Sequence, residues 1–552
     1  MNSRTRRALF SAAIFLAACG VTGSIIGGRV AAQSASDEST LRDSMKQFTD
    51  VYSLVEQNYA DKLDTDHVDK AIYDGAIPGM LHVLDPHSNF YDPKAFAQMR
   101  EDQHGKYYGV GMQIQPQENK IVVLAPFEGT PAYKAGIRPG DVILAVDGTK
   151  TDNMDSAAVA TMLKGPRGTH VTVTMAREGS PKPLVFDLIR DEIPRYSVDI
   201  AFMIKPNVGY IHVTQFMETT SHEVQEALDK FGPGIQGLVI DLRENPGGLL
   251  NEAVNTADKF LQKGQIVVSQ RGRAFPDQVY RAPKGSDLKY PIVILVNRDT
   301  ASAAEIVSGA LQDHDRALIV GETTFGKGLV QTVFPISENT GLALTTFHYY
   351  TPSGRLIQRN YNNVSLYDYY YVRNDALPAD KTNREVKLTD AGRPVYGGGG
   401  ITPDEKIKEL KSNHFQEVLL TPPHRAFFDF TTHYLANHSI TKELVVDDVM
   451  LSQFEDFLRS QKIDFTDKDI NDNIDWIKAM IKAELFTSQF GQAEGLKVRA
   501  DWDPQIRQAL TFMPEALALE EHKLPSEQKT TETASTAATQ NTTATQSTAH
   551  PQ

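Results

Sequence analysis

The spacing of hydrophobic residues changes several times along the chain, and each spacing predicts a different kind of structure. Between residues 37 and 105, apolar residues recur three or four positions apart, as on one face of a helix. Residues 106–192 contain short β-rich runs separated by turns, with one helical stretch at 154–163. In residues 193–405, apolar strand-like runs alternate with helical stretches, which is typical of an α/β core. Residues 406–525 return to helical spacing, so the whole pattern predicts a multidomain α+β protein with helical regions on both sides of its core.

In the N-terminal segment, residues 1–36, a basic stretch precedes an apolar one, as in an export signal or a membrane anchor. Arginines at positions 4, 6 and 7 precede an apolar run over 8–26. Cys19 follows a Leu-Ala-Ala sequence, which resembles the lipobox at which bacterial lipoproteins are lipidated. Cleavage near residues 31–32 and retention as an uncleaved anchor stay open as alternatives. We therefore expect an exported protein of the bacterial periplasm or cell envelope, with attachment to the inner membrane or by a lipid at Cys19 as open alternatives.

The composition excludes several classes of function. A chain of 552 residues with 41% hydrophobic and 23% charged residues is ordinary for a soluble protein of several domains. Its formal net charge of −14 disfavours nucleic acid as a partner. Because Cys19 is the only cysteine, no disulfide framework or thiolate metal cluster can form within one chain, and no His-Glu-x-x-His motif occurs, so we expect neither metal nor cofactor. Residues 526–552 are rich in Thr, Ala, Ser and Gln and predict a disordered tail.

Ser302 is a candidate nucleophile because of its place between two predicted elements. The apolar run at 292–296 predicts a strand buried on both faces, and a helix is expected to begin near Ser302. Ligands bind at the carboxyl ends of parallel strands, and a helix N-terminus offers N–H groups that can hold an oxyanion. Ser302 and Glu305 also have the spacing of a capping box, in which the serine would only satisfy N–H groups of the first turn. On spacing alone, both interpretations stay open.

Lys327 is a candidate general base. It lies between Gly326 and Gly328 in a glycine-rich loop that follows another apolar run. An exposed lysine has a pKa of about 10.4 and cannot accept a proton at neutral pH, whereas burial lowers this pKa by disfavouring the charged form. Gln331 could orient the amine, and it is equally well explained as a polar residue at a strand edge. The loop also has the glycine and lysine spacing of a phosphate-binding loop, but Gly328 occupies the position where Ser or Thr must hold magnesium, which disfavours an NTPase.

Several segments together closely resemble the carboxy-terminal processing peptidases. They are Asp85-Pro86-His87-Ser88, Asp241-Leu242-Arg243-Glu244-Asn245-Pro246-Gly247-Gly248, Thr300-Ala301-Ser302-Ala303-Ala304-Glu305-Ile306 and Gly326-Lys327-Gly328-Leu329-Val330-Gln331. The resemblance covers roughly residues 51–403 and implies a crotonase-like α/β serine protease core. It also implies that Ser302 is the nucleophile, Lys327 the base and Gln331 the residue that positions the base. The N–H groups of Gly248 and Ala303 are implied as the oxyanion hole.

Residues 106–192 resemble a PDZ domain inserted before this core. The segments that carry the resemblance are Tyr108-Gly109-Val110-Gly111-Met112, Gly129-Thr130-Pro131-Ala132 and Ala135-Gly136-Ile137-Arg138-Pro139-Gly140-Asp141-Val142-Ile143. PDZ domains bind the C-terminus of a peptide by strand addition, with the carboxylate held by loop N–H groups. Here that loop would consist of Tyr108, Gly109, Val110 and Gly111. In the resembled family a basic residue after the PDZ helix responds to substrate, and Lys164 and Arg167 are the candidates, although exposed basic residues are usually solubilising.

These observations predict an exported serine endopeptidase that captures polypeptide C-termini through its PDZ domain and hydrolyses peptide bonds with a Ser302–Lys327 dyad. Its partners would be polypeptides with accessible C-termini, with a homo-oligomer or an adaptor protein as further candidates. The alternative is a catalytically silent PDZ scaffold of the cell envelope. A Ser/His/Asp hydrolase is disfavoured because no Gly-x-Ser-x-Gly motif occurs for His314 or His348 to serve.

Overall fold

The computed structural model describes residues 35–61, 63, 70–117, 119–336, 339–372, 385–421 and 424–521. The predicted lipidation site at Cys19, the possible cleavage site near 31–32 and the tail at 526–552 lie outside the described residues. None of the helices in the described ranges combines the length and the hydropathy that a membrane span requires. The described residues up to Val83 form one compact unit, and those from Leu84 onward form a second.

The first unit is helical, as predicted. Its elements are α1 (Ala35–Asn58), a π-helical turn (Ala71–Ala76) and α2 (Ile77–His82). The apolar residues that recur along α1, among them Met45, Phe48 and Val55, are exposed within this unit.

The second unit begins with a strand and a helix, followed by a β-rich domain. Its elements are β1 (Asn89–Tyr91), α3 (Pro93–His104), β2 (Lys106–Gly109), β3 (Met112–Gln117), β4 (Lys120–Pro126), α4 (Pro131–Lys134), β5 (Val142–Val146), β6 (Thr149–Lys150), α5 (Ser156–Leu163), β7 (His170–Ala176), β8 (Leu184–Ile189) and β9 (Asp191–Pro194). One sheet has the order β3-β4-β5-β7-β8, with β6 paired to β5, while β2 pairs with β9. Asp147 and Gly148 both have left-handed backbone conformations, as the tight hairpin turn between β5 and β6 requires. The helix α5 lies within the predicted helical stretch 154–163, whereas the short helix α4 was not predicted.

The core that follows contains all the remaining strands of the described residues. Its elements are β10 (Val198–Lys205), β11 (Val208–Val213), α6 (Thr220–Phe231), β12 (Gly237–Asp241), α7 (Leu250–Ala257), β13 (Ile266–Arg271), β14 (Gln278–Arg281), β15 (Ile292–Val296), α8 (Ala303–Asp313), β16 (Leu318–Gly321), β17 (Leu329–Pro335), β18 (Gly341–Tyr350), α9 (Leu366–Tyr371), β19 (Val386–Leu388), β20 (Pro394–Tyr396) and β21 (Glu405–Lys406). A sheet of order β10-β11-β12-β15-β16-β21 is parallel from β11 onward, and every residue of β12 and β15 is buried. Continuous apolar runs are expected for strands covered on both faces. The predicted α/β core is therefore confirmed.

A second sheet was not predicted by the sequence pattern. It has the order β1-β18-β13-β14, and β17 also pairs with β18. The strand β1 pairs antiparallel with β18 through Asn89 and Ala343, which are far apart in the chain. The region 37–105 is thus not purely helical, because the short strand β1 completes a sheet of the core. The strand β17 occupies the segment after Lys327, where a phosphate-binding loop would require a helix.

The C-terminal region is helical, as predicted, and its last three helices cover one face of the core sheet. Its helices are α10 (His414–Leu420), α11 (Ala426–Asn437), α12 (Asp448–Ser460), α13 (Asp467–Phe490), α14 (Gln492–Trp502), α15 (Pro504–Thr511) and α16 (Met513–Glu520). Alternate residues of β15 face opposite sides of the parallel sheet. Ile292 and Ile294 pack with α7 and α8, whereas Val293 and Leu295 pack with α15 and α16. The parallel sheet therefore lies between two helical layers.

Candidate active site

Ser302 lies where β15 leads into α8, and its backbone is strained. Its φ of 54° and ψ of −115° differ from the extended conformation that an N-cap residue normally has. Such conformations cost about 1–3 kcal/mol in a residue other than glycine and cluster at functional sites. The Ser302 N–H donates to Glu305 Oε2 at 2.8 Å, as in a capping box. Helix capping alone does not require the strain.

Glu305 connects the start of α8 to the loop that carries Lys327. Its fully buried carboxylate accepts four hydrogen bonds, two on each oxygen. Oε2 accepts the backbone N–H groups of Ser302 at 2.8 Å and Lys327 at 2.9 Å, while Oε1 accepts that of Gly326 at 2.7 Å and the hydroxyl of Thr324. Burial raises the pKa of Glu305, whereas its three backbone N–H donors, which cannot accept a proton, favour the ionised carboxylate. The sequence pattern predicted Glu305 only as half of a capping box, and its link to a distant loop was missed.

The environment of Lys327 favours the neutral amine. Burial lowers the pKa of Lys327, and the charges of Glu305 and Asp85 only partly oppose this effect. Among the described residues, no acceptor forms a hydrogen bond or an ion pair with the Lys327 Nζ, and this includes Ser302 and Gln331. Gln331 instead donates from Nε2 to Thr345 Oγ1 at 3.1 Å. The structure thus brings the backbones of Ser302 and Lys327 to one carboxylate oxygen but does not show Gln331 positioning the amine.

The turn from Asn245 to Gly248 packs directly against Ser302. Gly247 has a φ of 96°, and a Cβ at this position would come within 2.7 Å of Ser302 Cβ and 2.8 Å of the Ala303 nitrogen. A Cβ on Gly248 would lie 2.1 Å from the Phe216 carbonyl oxygen, so neither glycine can be replaced without a shift of backbone. Within the described residues, the N–H groups of Gly248 and Ala303 donate to no acceptor. Two unpaired donors beside a serine are what an oxyanion hole requires.

The segment Asp85 to Ser88 also approaches Lys327, a placement that the sequence pattern did not reveal. The Asp85 carboxylate accepts the backbone N–H groups of His87 and Ser88 and the Ser88 hydroxyl. His87 Nε2 lies 2.7 Å from the Tyr369 hydroxyl. Burial, and secondly the charge of Lys327, lower the pKa of His87 to about 3. His87 is therefore neutral, and the segment adds an acidic and an aromatic group around the amine.

The PDZ-like domain borders a cavity of about 1190 Å³ that also reaches the core. Gly109, Val110 and Gly111 of the predicted peptide-binding loop line this cavity, and so does Lys164, one of the two candidate sensor residues. Tyr108 and Arg167 do not line it. Tyr107 takes the position expected of Tyr108, because side chains alternate along β2.

The two candidate basic residues differ in their partners. Lys164 forms an ion pair of 2.6 Å with Glu101 of α3 and lies 5.0 Å from the Tyr107 ring centroid. Arg167 pairs instead with Asp191 at 2.8 Å, and its side chain is 67% exposed. Only Lys164 is placed to meet a ligand in the cavity.

The two histidines considered for a Ser/His/Asp mechanism lie in structural positions. His314 is hydrogen-bonded to Asp390 at 2.7 Å and to the carbonyl of Ile266 at 2.8 Å. His348 belongs to β18, and neither residue forms a described contact with Ser302. No group of His, Cys, Asp or Glu in the described part of the chain is arranged to hold a metal ion.

Comparison with known proteins adds family relationships to this geometry. The model of peptidase family S41 matches residues 207–364, a PDZ domain model matches 122–177, and the model of the activating protease CtpB N-terminal domain matches 24–95. The carboxy-terminal-processing protease of Bartonella bacilliformis is 40% identical over 358 residues, which cover 63% of this chain and 79% of that protein. The carboxy-terminal processing protease CtpA of Bacillus subtilis is 33% identical over 383 residues, covering 68% and 78%. Among solved structures, a photosystem II D1 C-terminal processing protease is 30% identical, with 65% and 92% coverage and a TM-score of 0.33.

Proposed function

Because the chain belongs to the carboxy-terminal processing proteases of peptidase family S41, we propose that it is a serine endopeptidase with Ser302 as nucleophile and Lys327 as general base. The observation that carries this proposal is the shared carboxylate of Glu305. A single oxygen of Glu305 accepts the backbone N–H groups of both residues, so the loop with Lys327 is held at the start of α8. A general base must also be neutral near the working pH, and burial lowers the pKa of Lys327 toward that range.

The proposed reaction proceeds in two steps. Ser302 Oγ attacks the scissile carbonyl while the neutral Lys327 amine accepts its proton, and the N–H groups of Gly248 and Ala303 stabilise the oxyanion. The resulting ammonium donates its proton to the leaving amine, and water then hydrolyses the acyl-enzyme. Lys327 Nζ has no hydrogen bond to Ser302 in this structure, so the dyad must close when substrate binds. Gln331 would orient the amine only after releasing Thr345.

Substrate capture is assigned to the PDZ domain. Its loop at Gly109, Val110 and Gly111 faces a cavity that it shares with Val198 and Asp199 of the core. A polypeptide C-terminus added as a strand beside β3 would place the preceding residues along this cavity. We propose residues 106–192 as the PDZ domain, 193–405 as the protease core and 406–525 as a helical extension, with export directed by the N-terminal segment.

The test is hydrolysis of an unfolded polypeptide by the full chain, compared with Ser302→Ala and Lys327→Ala. We expect cleavage by the wild type and none by either variant, with circular dichroism and thermal unfolding showing that both fold. Full proteolysis by Lys327→Ala would refute the assigned base. Binding of peptide C-termini without any cleavage by the wild type would support the silent scaffold instead.

A further inference from the structure

Arg243 anchors the beginning of the turn that supplies the Gly248 N–H. It follows β12, and its guanidinium donates to both oxygens of the buried Asp241, at 2.6 Å from Nη2 and at 3.0 and 3.1 Å from Nε. The Arg243 backbone N–H also donates to Asp241 Oδ1 at 3.0 Å. These bonds occupy one edge of the guanidinium, and the Arg243 side chain is only 15% exposed.

The other edge of Arg243 is held by the C-terminal extension. Arg243 Nη2 lies 2.9 Å from Asp503 Oδ2, and Nη1 donates to Gln505 Oε1 at 2.7 Å. Gln505 is itself fixed, because its Nε2 donates to the Lys408 carbonyl at 3.0 Å. Burial opposes the charge of Arg243, but Asp241 and Asp503 raise its pKa above the usual range, so the guanidinium stays charged. Arg243 is therefore clamped between β12 and a segment from the far end of the chain.

Asp503 is the N-cap residue of α15, a helix that packs against the parallel sheet. Its Oδ1 caps α15 by accepting the backbone N–H groups of Gln505 at 2.7 Å and Ile506 at 3.2 Å. Ile506 and Ala509 of α15 are buried with Leu295 and Val320 against the parallel sheet. Oδ2 remains for Arg243, so a single carboxylate joins the helix to the turn.

The turn needs this support because its backbone is strained. Glu244 has a φ of 57°, and its N–H donates to Asn297 Oδ1 at 3.0 Å. The Asn245 carbonyl accepts from Ala301, the residue before Ser302, at 2.8 Å. Strained conformations persist only where the surroundings over-determine them. A shift at Arg243 would therefore be passed to both the oxyanion donors and Ser302.

We propose that Asp503, assisted by Gln505, is a positioning residue that fixes the oxyanion turn through Arg243, so that the C-terminal extension completes the active site. This inference rests on the proposed function of Ser302 and Gly248. The three matched family models end at or before residue 364, whereas Asp503 and Gln505 lie beyond them.

The decisive variant is Asp503→Asn in the full chain. Asparagine caps a helix as well as aspartate does, so α15 keeps its N-cap, while an amide group facing Arg243 Nη2 replaces an acceptor with a donor. Displacement of catalytic groups by about 1 Å can reduce the rate about 100-fold, so we expect kcat to fall about 10- to 100-fold with KM nearly unchanged. Affinity for a peptide aldehyde, which forms a tetrahedral adduct with the serine, should fall by a similar factor.

Asp447→Asn is the matched control. Asp447 caps α12 of the same extension by accepting from Met450 at 2.9 Å, and it makes no described contact with Arg243. This variant should keep wild-type kcat. Active sites are counted by labelling with a serine-reactive fluorophosphonate, so that kcat refers only to competent enzyme.

The outcomes separate the two proposals. Wild-type kcat and aldehyde affinity in Asp503→Asn, with Ser302→Ala inactive, would overturn the positioning role and leave the proposed function intact. A loss of activity explained entirely by fewer labelled sites would also overturn it, since that result indicates misfolding. Hydrolysis by Ser302→Ala would instead refute the proposed function itself.

Discussion

Replacing Glu305 with glutamine tests the link between Ser302 and Lys327 most directly. The two side chains have nearly the same shape, so packing is unchanged. A carboxylate accepts on both oxygens, whereas the glutamine amide group can only donate. An amide group in place of Oε2 would face the backbone N–H groups of Ser302 and Lys327, whereas one in place of Oε1 would face only that of Gly326, because the Thr324 hydroxyl can turn and accept from it.

The size of the effect follows from these contacts. The second orientation leaves one backbone N–H, that of Gly326, without an acceptor, and a buried donor in this state costs about 1–3 kcal/mol. Part of this is offset because the variant no longer buries a charge, whose unfavourable desolvation is what raises the pKa of Glu305. We expect a net loss of about 1–2 kcal/mol in the free energy of unfolding. At about 2–4 °C per kcal/mol, the unfolding temperature should fall about 2–8 °C.

Catalysis should suffer more than stability. The Gly326 N–H meets a donor instead of an acceptor, which displaces the Lys327 loop from the start of α8, and kcat should fall about 10- to 100-fold even at temperatures where the variant is folded. The assay combines thermal unfolding by circular dichroism with hydrolysis of a fluorogenic peptide. Asp258→Asn is the control, because Oδ1 of the buried Asp258 accepts the backbone N–H groups of both Lys284 and Gly285, so an amide group in place of Oδ2 faces no described donor. Wild-type kcat and unfolding temperature in Glu305→Gln would refute the reasoning.

Three further predictions follow from the same site. Because burial lowers the pKa of Lys327 from 10.5, kcat/KM should rise with pH through the lowered pKa and level off below 10.5. An activity profile that rises only near 10.5 would contradict this. Lys327→Met should be inactive, yet no less stable than the wild type at neutral pH. The pKa of His87 falls from 6.5 to about 3 on folding, so the unfolded chain binds a proton that the folded chain does not, and stability should decrease as the pH falls from 6.5 toward 3. His87→Gln, which can keep a hydrogen bond to Tyr369, should lose less of its unfolding temperature over that range, and equal losses would exclude His87 as the source. Gln331→Ala should lower kcat about 10-fold if Gln331 orients the amine. Thr345→Val removes only the present hydrogen-bond partner of Gln331 and should leave kcat unchanged. The same loss of kcat in both variants, measured by steady-state kinetics, would indicate a structural role for the pair.

Much of the fold was predictable from the sequence, because the period of apolar residues is a local property. The fully apolar run of β15 identified a buried strand, and β15 and its parallel neighbour β12 carry the helix of Ser302 and the turn of Gly248 at their carboxyl ends. The antiparallel sheet was missed because its members are short or far apart in the chain. The strand β1 is very short and acquires its structure only by pairing with β18.

For the candidate active site too, some features were visible in the sequence and others only in the tertiary structure. The sequence alone determined which residue types are available and which predicted elements hold them, since a serine at a strand end and a lysine between glycines are visible locally. Only the tertiary structure decided that Glu305 holds Ser302 and Lys327 together, that the charge of Lys327 acts on His87, and that Asp503 reaches Arg243. These contacts join segments that lie far apart in the chain. No local pattern encodes them, because each depends on how whole sheets and helices pack.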